Sequence, residues 1–254
     1  MMRMARLIRI RLGQQALSLL LLAVAWQIGA LLAPATSLPS PAQVARVMVA
    51  AMAHGDLLHH LGITLARVGA AFVLSLTIGT ALGIVLGRMP VVDGLVDGWL
   101  MFFLNMPALV TTILCYVWFG LTEAAALAAV AVNKIPSAVV TVREGARGLD
   151  RGTLAVAKAY NFGPWRTLRH VILPQLAPFL LVAARSGLAL IWKIVLMVEL
   201  LGRSDGIGFK LHVYFELFDV AGILAYSLAF VAVIHAIELA ILAPIERKVT
   251  AWRG

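Results

Sequence analysis

Six long apolar runs constrain this chain more than any other feature: Ala16 to Ala33, Ile63 to Gly87, Trp99 to Phe119, Ala124 to Val142, Phe179 to Leu201 and Val220 to Leu242. At about 1.5 Å per helical residue, each is long enough to cross about 30 Å of hydrocarbon. In lipid every backbone N–H and C=O needs a partner within the chain, which leaves helices or closed barrels. None of the runs alternates apolar with polar residues as barrel strands do. The reading is an all-α membrane protein with about six transmembrane helices. Composition agrees, with 62% hydrophobic and 13% charged residues, against roughly half and a quarter in soluble chains.

The net charge of +9 raises nucleic acid as a partner, but the basic residues sit at the ends of apolar runs instead of forming one basic surface. No nucleic-acid role is expected; the partner of the apolar faces is membrane lipid. Cys115 is the only cysteine, so neither an intrachain disulfide nor a cysteine metal cluster can form. Four arginines between Met1 and Gly13, followed by the first run and Ala33-Pro34-Ala35, resemble a secretory signal with its cleavage site. A signal's apolar region is only about 7 to 15 residues, so an uncleaved first helix is expected.

Orientation follows from the basic residues, because short connections rich in Lys and Arg stay in the cytoplasm. With the N-terminus inside, fourteen Lys and Arg fall on the inner side, among them Arg88, Arg143, Arg147, Lys158, Arg247, Lys248 and Arg253. Only Arg46, Arg67, Arg203 and Lys210 fall on the outer side. Both termini are expected in the cytoplasm.

Two connections are too long to be simple turns. The outer one, Pro34 to Gly62, carries the extended Leu38-Pro39-Ser40-Pro41 and a candidate amphipathic helix from Val44 to Leu58. The inner one, Arg143 to Val171, is punctuated at both ends of a short helix. Thr153 is placed to cap its start and Gly163-Pro164 to stop it. A second helix is expected from Pro164 through Trp165 and His170 to Leu173, before Pro174. In the second run Ala71, Ser75, Gly79, Gly83 and Gly87 recur every four residues. Small residues on one face let helix backbones approach closely, with packing inside the chain favoured over a dimer seam.

The inner segment resembles that of a known family, the inner-membrane permeases of bacterial binding-protein-dependent ABC importers, in particular the nitrate, sulfonate and taurine group. That family's signature runs Glu-Ala-Ala, three residues, Gly, nine residues, an aliphatic residue, one residue, Leu-Pro. Anchored on Leu173-Pro174, it places Val171 at the aliphatic position, Asn161 at the Gly position and Ala155-Val156-Ala157 at the Glu-Ala-Ala positions. The spacing fits, while Ala155 and Asn161 depart from Glu and Gly. Leu38-Pro39-Ser40-Pro41, Glu144 to Asp150, Trp165 to Pro174, and Trp192-Lys193-Ile194-Val195-Leu196 to Gly202 extend the likeness.

The resemblance implies a type I importer permease fold, one permease domain over residues 1–254, and a cytoplasmic coupling segment at about 143–173. It implies that Ala155, Ala157, Lys158, Tyr160, Asn161, Phe162, Gly163, Leu173 and Pro174 form the surface that docks an ABC ATPase. It further implies a second permease copy in a homodimer, a periplasmic or lipid-anchored substrate-binding protein, and a place in the bacterial inner membrane. The cargo implied is a small anionic or zwitterionic solute such as nitrate, a sulfonate or taurine; related permeases carry pyrimidine-like vitamin precursors. The chain has no G-x-x-x-x-G-K-[ST] loop to hold nucleotide phosphates. It is therefore not read as an enzyme, and ATP with magnesium belongs to the partner ATPase.

Within the runs, Lys134 and Lys193 lie near the centres of the fourth and fifth, where a charge costs about 2.5 to 3.5 kcal/mol and must face a cavity or a partner. Glu199 lies about 9 Å along the helix from Lys193, too far to pair within it. Asn105-Met106-Pro107 and Asn133-Lys134-Ile135-Pro136 are either kinks or walls of a pathway. Asn105, Asn133, Lys134, Lys193 and Glu199 are the candidate pathway residues, with Glu199 or Glu238 pairing to the lysines as the structural alternative. His235 and Glu238, three apart, read as a hydrogen-bonded pair rather than half a metal site. Two other classes stay open on the residues alone: a secondary transporter or channel, and a membrane-embedded enzyme, for which no catalytic constellation stands out.

Overall fold

The computed structural model describes residues 2–34, 37–242 and 244, and all the regular structure among them is helical. The elements are α1 (Met2–Leu32), α2 (Pro41–Ala53), α3 (Leu57–Arg88), α4 (Pro90–Asn105), α5 (Ala108–Phe119), α6 (Glu123–Arg147), α7 (Arg151–Ala159), α8 (Pro164–Thr167), α9 (Leu173–Gly202), α10 (Ile207–Glu216) and α11 (Val220–Ile237). A π-helical turn, Leu168–Ile172, joins α8 to α9, and another, Glu238–Leu242, follows α11. Ala35 of the signal-like site and the C-terminal Arg247, Lys248 and Arg253 lie outside the described residues.

Among the described residues four helical stretches are long and apolar enough to cross a membrane: Leu57–Arg88, Glu123–Arg147, Pro164–Gly202 and Val220–Ala240. The pair α4 and α5 makes a fifth if counted as one broken span, and Leu17–Leu32 is a shorter apolar helix. The third run is therefore not one straight span, since α4 and α5 meet at 98°. Pro107 drives Met106 out of the helical region, to φ −73° and ψ 125°. Asn105 turns its Nδ2 back onto the Met101 carbonyl at 2.7 Å.

The two other proline sites behave differently. Pro136 lies inside the uninterrupted α6. Pro174 does not end a helix as expected: the chain runs helically from Pro164 to Gly202, 39 residues. The Leu173 N–H reaches back to the Leu168 carbonyl, and this π turn resets the bonding frame so that Pro174 enters as a first-turn residue with no N–H required.

The chain divides into two compact units. In the first, residues 1–58 and 210–231, Ser40 caps α2 by accepting from the Gln43 N–H at 3.3 Å, and the Trp26 indole donates to the Pro39 carbonyl at 3.0 Å. Asp56 accepts from Lys210 Nζ at 2.7 Å and from the Tyr226 hydroxyl at 2.5 Å. The second unit, residues 59–209 and 232–254, is built around α6, which packs against α4, α5 and α9. The small-residue stripe of α3 also faces α6. A Cβ added at Gly79, Gly83 or Gly87 would stand 2.5, 2.7 and 2.6 Å from the Cβ atoms of Ala138, Val142 and Ala146. Four-residue spacing on both helices brings the backbones together, as the small-residue rule anticipates.

Candidate functional site

The segment between α6 and α9 is held from below and left open above. Val142, Ala146 and Leu149 bury against Ile172 and Leu176, with Leu154 and Leu168 packed on them. This root fixes α7 to the ends of α6 and α9. The start of α7 is capped by Asp150, not by Thr153: its carboxylate accepts the Gly152 and Thr153 amides at 2.9 Å each, and the Thr153 hydroxyl as well. The Thr153 hydroxyl, followed by the two amides, holds the Asp150 carboxyl below the usual carboxylate range. Its own N–H is anchored to Gln175 Oε1 at 2.9 Å.

The other end of α7 explains one departure from the family signature. Asn161 has φ of +52°, its N–H bonds the Lys158 carbonyl at 3.0 Å, and the Phe162 N–H bonds Ala157 at 2.9 Å. That pair of bonds is a Schellman ending, which asks for Gly at the left-handed position and takes Asn next most readily. Helix α7 thus stops before Gly163, which instead caps α8. Ala157 is buried, while Ala155, Lys158, Tyr160 and Phe162 are exposed. Val156, Tyr160 and Trp165 are 56, 76 and 71% exposed, an uncovered apolar ridge. Leu173 is half-buried and Pro174 exposed beside it.

The five pathway candidates do not converge in the single chain. Lys134 is 3% exposed and its ammonium donates to Ser137 Oγ at 2.7 Å. Its stem lies over Gly187 of α9, where an added Cβ would be 2.5 Å from Lys134 Cε. No carboxylate among the described residues pairs with it. Lys193 is exposed on α9, on a face shared with Val182, Arg185, Ser186 and Ala189. Asn133 donates to Ala129 within its own helix at 2.8 Å, as Asn105 does in α4. Glu199 does not meet either lysine, so the proposed pairing is replaced by another partner. Glu238 stands 3.9 Å from His235, too far for the hydrogen bond expected.

That partner of Glu199 is Arg67, which lies inside α3 and is 5% exposed. Its Nη1 donates to Glu199 Oε1 at 2.8 Å and to the Asp205 carbonyl at 2.9 Å. Its Nη2 meets Glu123 at 2.5 Å and the Asp205 carboxylate, and its Nε meets Glu123 at 3.0 Å. Glu199 is fully buried and also accepts from Thr64 Oγ1 and the Gly208 N–H, each at 2.9 Å. The Ile207 N–H bonds Thr64 at 2.8 Å and the Gly206 N–H bonds His60 Nδ1 at 3.0 Å. Three side chains thus satisfy successive amides where α10 begins. Gly206, at φ +101°, leaves no room for a Cβ, which would lie 2.3 Å from the Glu199 carboxyl carbon. Burial raises the proton affinity of Asp205, but the hydrogen bond and charge of Arg67, with Arg203, outweigh it and hold the carboxyl low.

Among the described residues no three His, Cys, Asp or Glu are placed to hold a metal. A taurine transport system permease, TauC of Escherichia coli, is 27% identical over 92% of this chain and 87% of its own length. A riboflavin transport system permease, RibX of Chloroflexus aurantiacus, is 30% identical over 93% and 89%. An aliphatic sulfonates transport permease protein, SsuC of Bacillus subtilis, is 27% identical over 90% and 83%. Among solved structures, the permease fold of the MetNI methionine ABC transporter in an inward-facing conformation superposes with a TM-score of 0.63 at 20% identity, covering 77% of this chain and 95% of that one. Residues 79–245 match the family described as the binding-protein-dependent transport system inner membrane component; this chain belongs to that family, and is a permease of the ABC transporter kind.

Proposed function

We propose that two copies of this chain form the pathway of an ABC importer that moves a small anionic or zwitterionic solute, of the sulfonate or taurine kind, into the cytoplasm. Separate ATPase subunits hold ATP and magnesium, and their closure drives alternating access; a periplasmic or lipid-anchored binding protein delivers the solute. Both termini and α7 then lie in the cytoplasm, and the Arg67 cluster lies toward the outer side. The observation that carries the reading is α7 itself: a short helix capped by Asp150, ended at Asn161, rooted in the core and presenting Val156, Tyr160 and Trp165 outward. An exposed apolar ridge on a rigid pedestal fits a groove on another protein.

The solute class is supported by the relatives named for taurine and sulfonates; Lys134 and Lys193, which have no carboxylate partner among the described residues, favour an anion where the pathway passes either of them. A second cargo reading, a vitamin-type heterocycle, is supported by the relative named for riboflavin.

The test is co-purification of the ATPase encoded with this chain. Tyr160→Asp and Phe162→Asp put a charge into an apolar contact and are expected to weaken the complex while leaving the permease inserted. Parent-like binding and ATP turnover in both variants would contradict docking at α7. A reporter fused after Gly148 is expected to read cytoplasmic, and an external reading would contradict the orientation.

A further inference from the structure

Two arginines near the end of α6 and two aspartates near the start of α4 form a ladder directly before α7. Arg143 is 5% exposed, and its Nη1 is shared between Asp93 at 2.8 Å and Asp97 at 2.6 Å. Arg147 bonds the second Asp93 oxygen through Nη2, and Glu144 through Nη1 at 2.7 Å. Each pair is four residues apart on one helix face. Asp93 is in the first turn of its helix and Arg147 in the last turn of its own, where the helix ends favour those charges.

The remainder of the contact between α4 and α6 is smooth. Val92, Val96 and Leu100 face Ile135 and Val139 around an apolar cavity of about 390 Å³ that Leu86 of α3 also lines, and none of these side chains makes a directional bond. Such a loosely filled seam fixes distance better than it fixes register, because few side chains interlock across it. The charge ladder is therefore what sets how far α4 stands along α6. On one side it continues through Leu149 into the root of α7; on the other α4 leads to the 98° break at Met106-Pro107 and to α5, which packs on α6 again.

We propose that this ladder is the joint that passes displacement of α7 on to the broken α4–α5 span, with Asp93 and Arg143 as its positioning residues. With the joint intact, α4 follows α6 when the ATPase moves α7; without it, α4 slips along the aliphatic seam and hydrolysis proceeds without opening the pathway. This rests on the proposed docking of an ATPase at α7.

Asp93→Asn removes the charge that both arginines share. Arg143→Lys keeps a cation but replaces the planar fork with a single donor centre. Each is assembled with the ATPase and binding protein in proteoliposomes, and taurine uptake is measured alongside ATP hydrolysis. Hydrolysis is expected to persist while taurine carried per ATP falls about fivefold or more. A parent ratio in either inserted variant overturns the joint. A merely structural role would lower uptake and hydrolysis together, and that result overturns it too.

A second readout needs no cargo and no ATPase. Spin labels at Leu95→Cys on α4 and Gly148→Cys beyond α6, both exposed positions, are placed in a Cys115→Ser background and diluted with unlabelled chain. One narrow separation is expected in the parent and a broadened or shifted one in Asp93→Asn; identical distributions overturn the joint. If the parent neither binds an ATPase nor imports taurine, the proposed function fails, while the spin-label distances still decide whether the ladder sets the register.

Discussion

Replacing Arg67 by Met removes the cation that pairs with the fully buried Glu199. Breaking a buried pair by deleting one partner costs about 3 to 5 kcal/mol, since the other charge is left uncompensated. A ceiling comes from chemistry: the stranded carboxylate can take up a proton, and protonating an ordinary glutamate at pH 7 costs about 3.7 kcal/mol. Glu199 keeps its bonds from Thr64 and Gly208, while Glu123 and Asp205 are open enough to hydrate, at 50 and 34% side-chain exposure. The expected cost is thus about 3 to 4 kcal/mol, which for a chain of this size lowers Tm by roughly 6 to 16 °C. The assay is thermal unfolding of the detergent-solubilised chain followed by size-exclusion chromatography. Adding Glu199→Gln to Arg67→Met removes the stranded charge but keeps a carbonyl acceptor for Thr64 and Gly208, so about half of the loss should return. A melting point within about 2 °C of the parent for Arg67→Met, or a further drop on adding Glu199→Gln, would refute the reasoning.

Asn161→Gly should leave ATPase affinity near the parent's, whereas Asn161→Val should weaken it, because a β-branched side chain at φ +52° adds more than about 1 to 2 kcal/mol of strain; a pull-down titration reads both. Lys134→Gln and Lys193→Gln should accumulate normally in the membrane and lose roughly tenfold in apparent affinity for an anionic cargo, about 1.4 kcal/mol; unchanged import by both removes them from the pathway. The Asp150 cap, with its carboxyl held low by Thr153, contributes above the unfolded carboxylate range and is lost only as pH falls through the depressed value. ATPase binding should therefore be flat from about pH 8 to 5 on this account, with Asp150→Asn retaining it and Asp150→Ala weakening it.

What the sequence made legible was local or periodic. The stripe from Ala71 to Gly87 carries its own register, and its partners on α6 repeat at the same spacing. The short helix before Gly163-Pro164 was visible from its punctuation, although its cap proved to be Asp150, three residues before the Thr153 that was read as the cap. Asn161, an apparent departure from the family pattern, stands at a left-handed position that glycine suits best and asparagine next. The Arg67 cluster was not legible, because Arg67 and Glu199 are 132 positions apart and each reads alone as a stray charge near the end of a run. The prolines make the same point: Pro107 breaks a span, Pro136 is carried inside α6, and Pro174 is absorbed by a π turn. Neighbouring helices and local frame shifts decide among these outcomes, and neither is written at the proline itself.

The most direct test of the permease account is ATP-driven uptake into proteoliposomes that contain this chain, its ATPase and its binding protein. Radiolabelled taurine and an alkanesulfonate are offered with ATP inside or outside. The account predicts accumulation that needs the binding protein on one face and ATP on the other, and that disappears when the nucleotide-binding lysine of the ATPase is replaced. Solute crossing at the same rate without ATP or without the ATPase would contradict it and return the chain to the class of channels or secondary transporters.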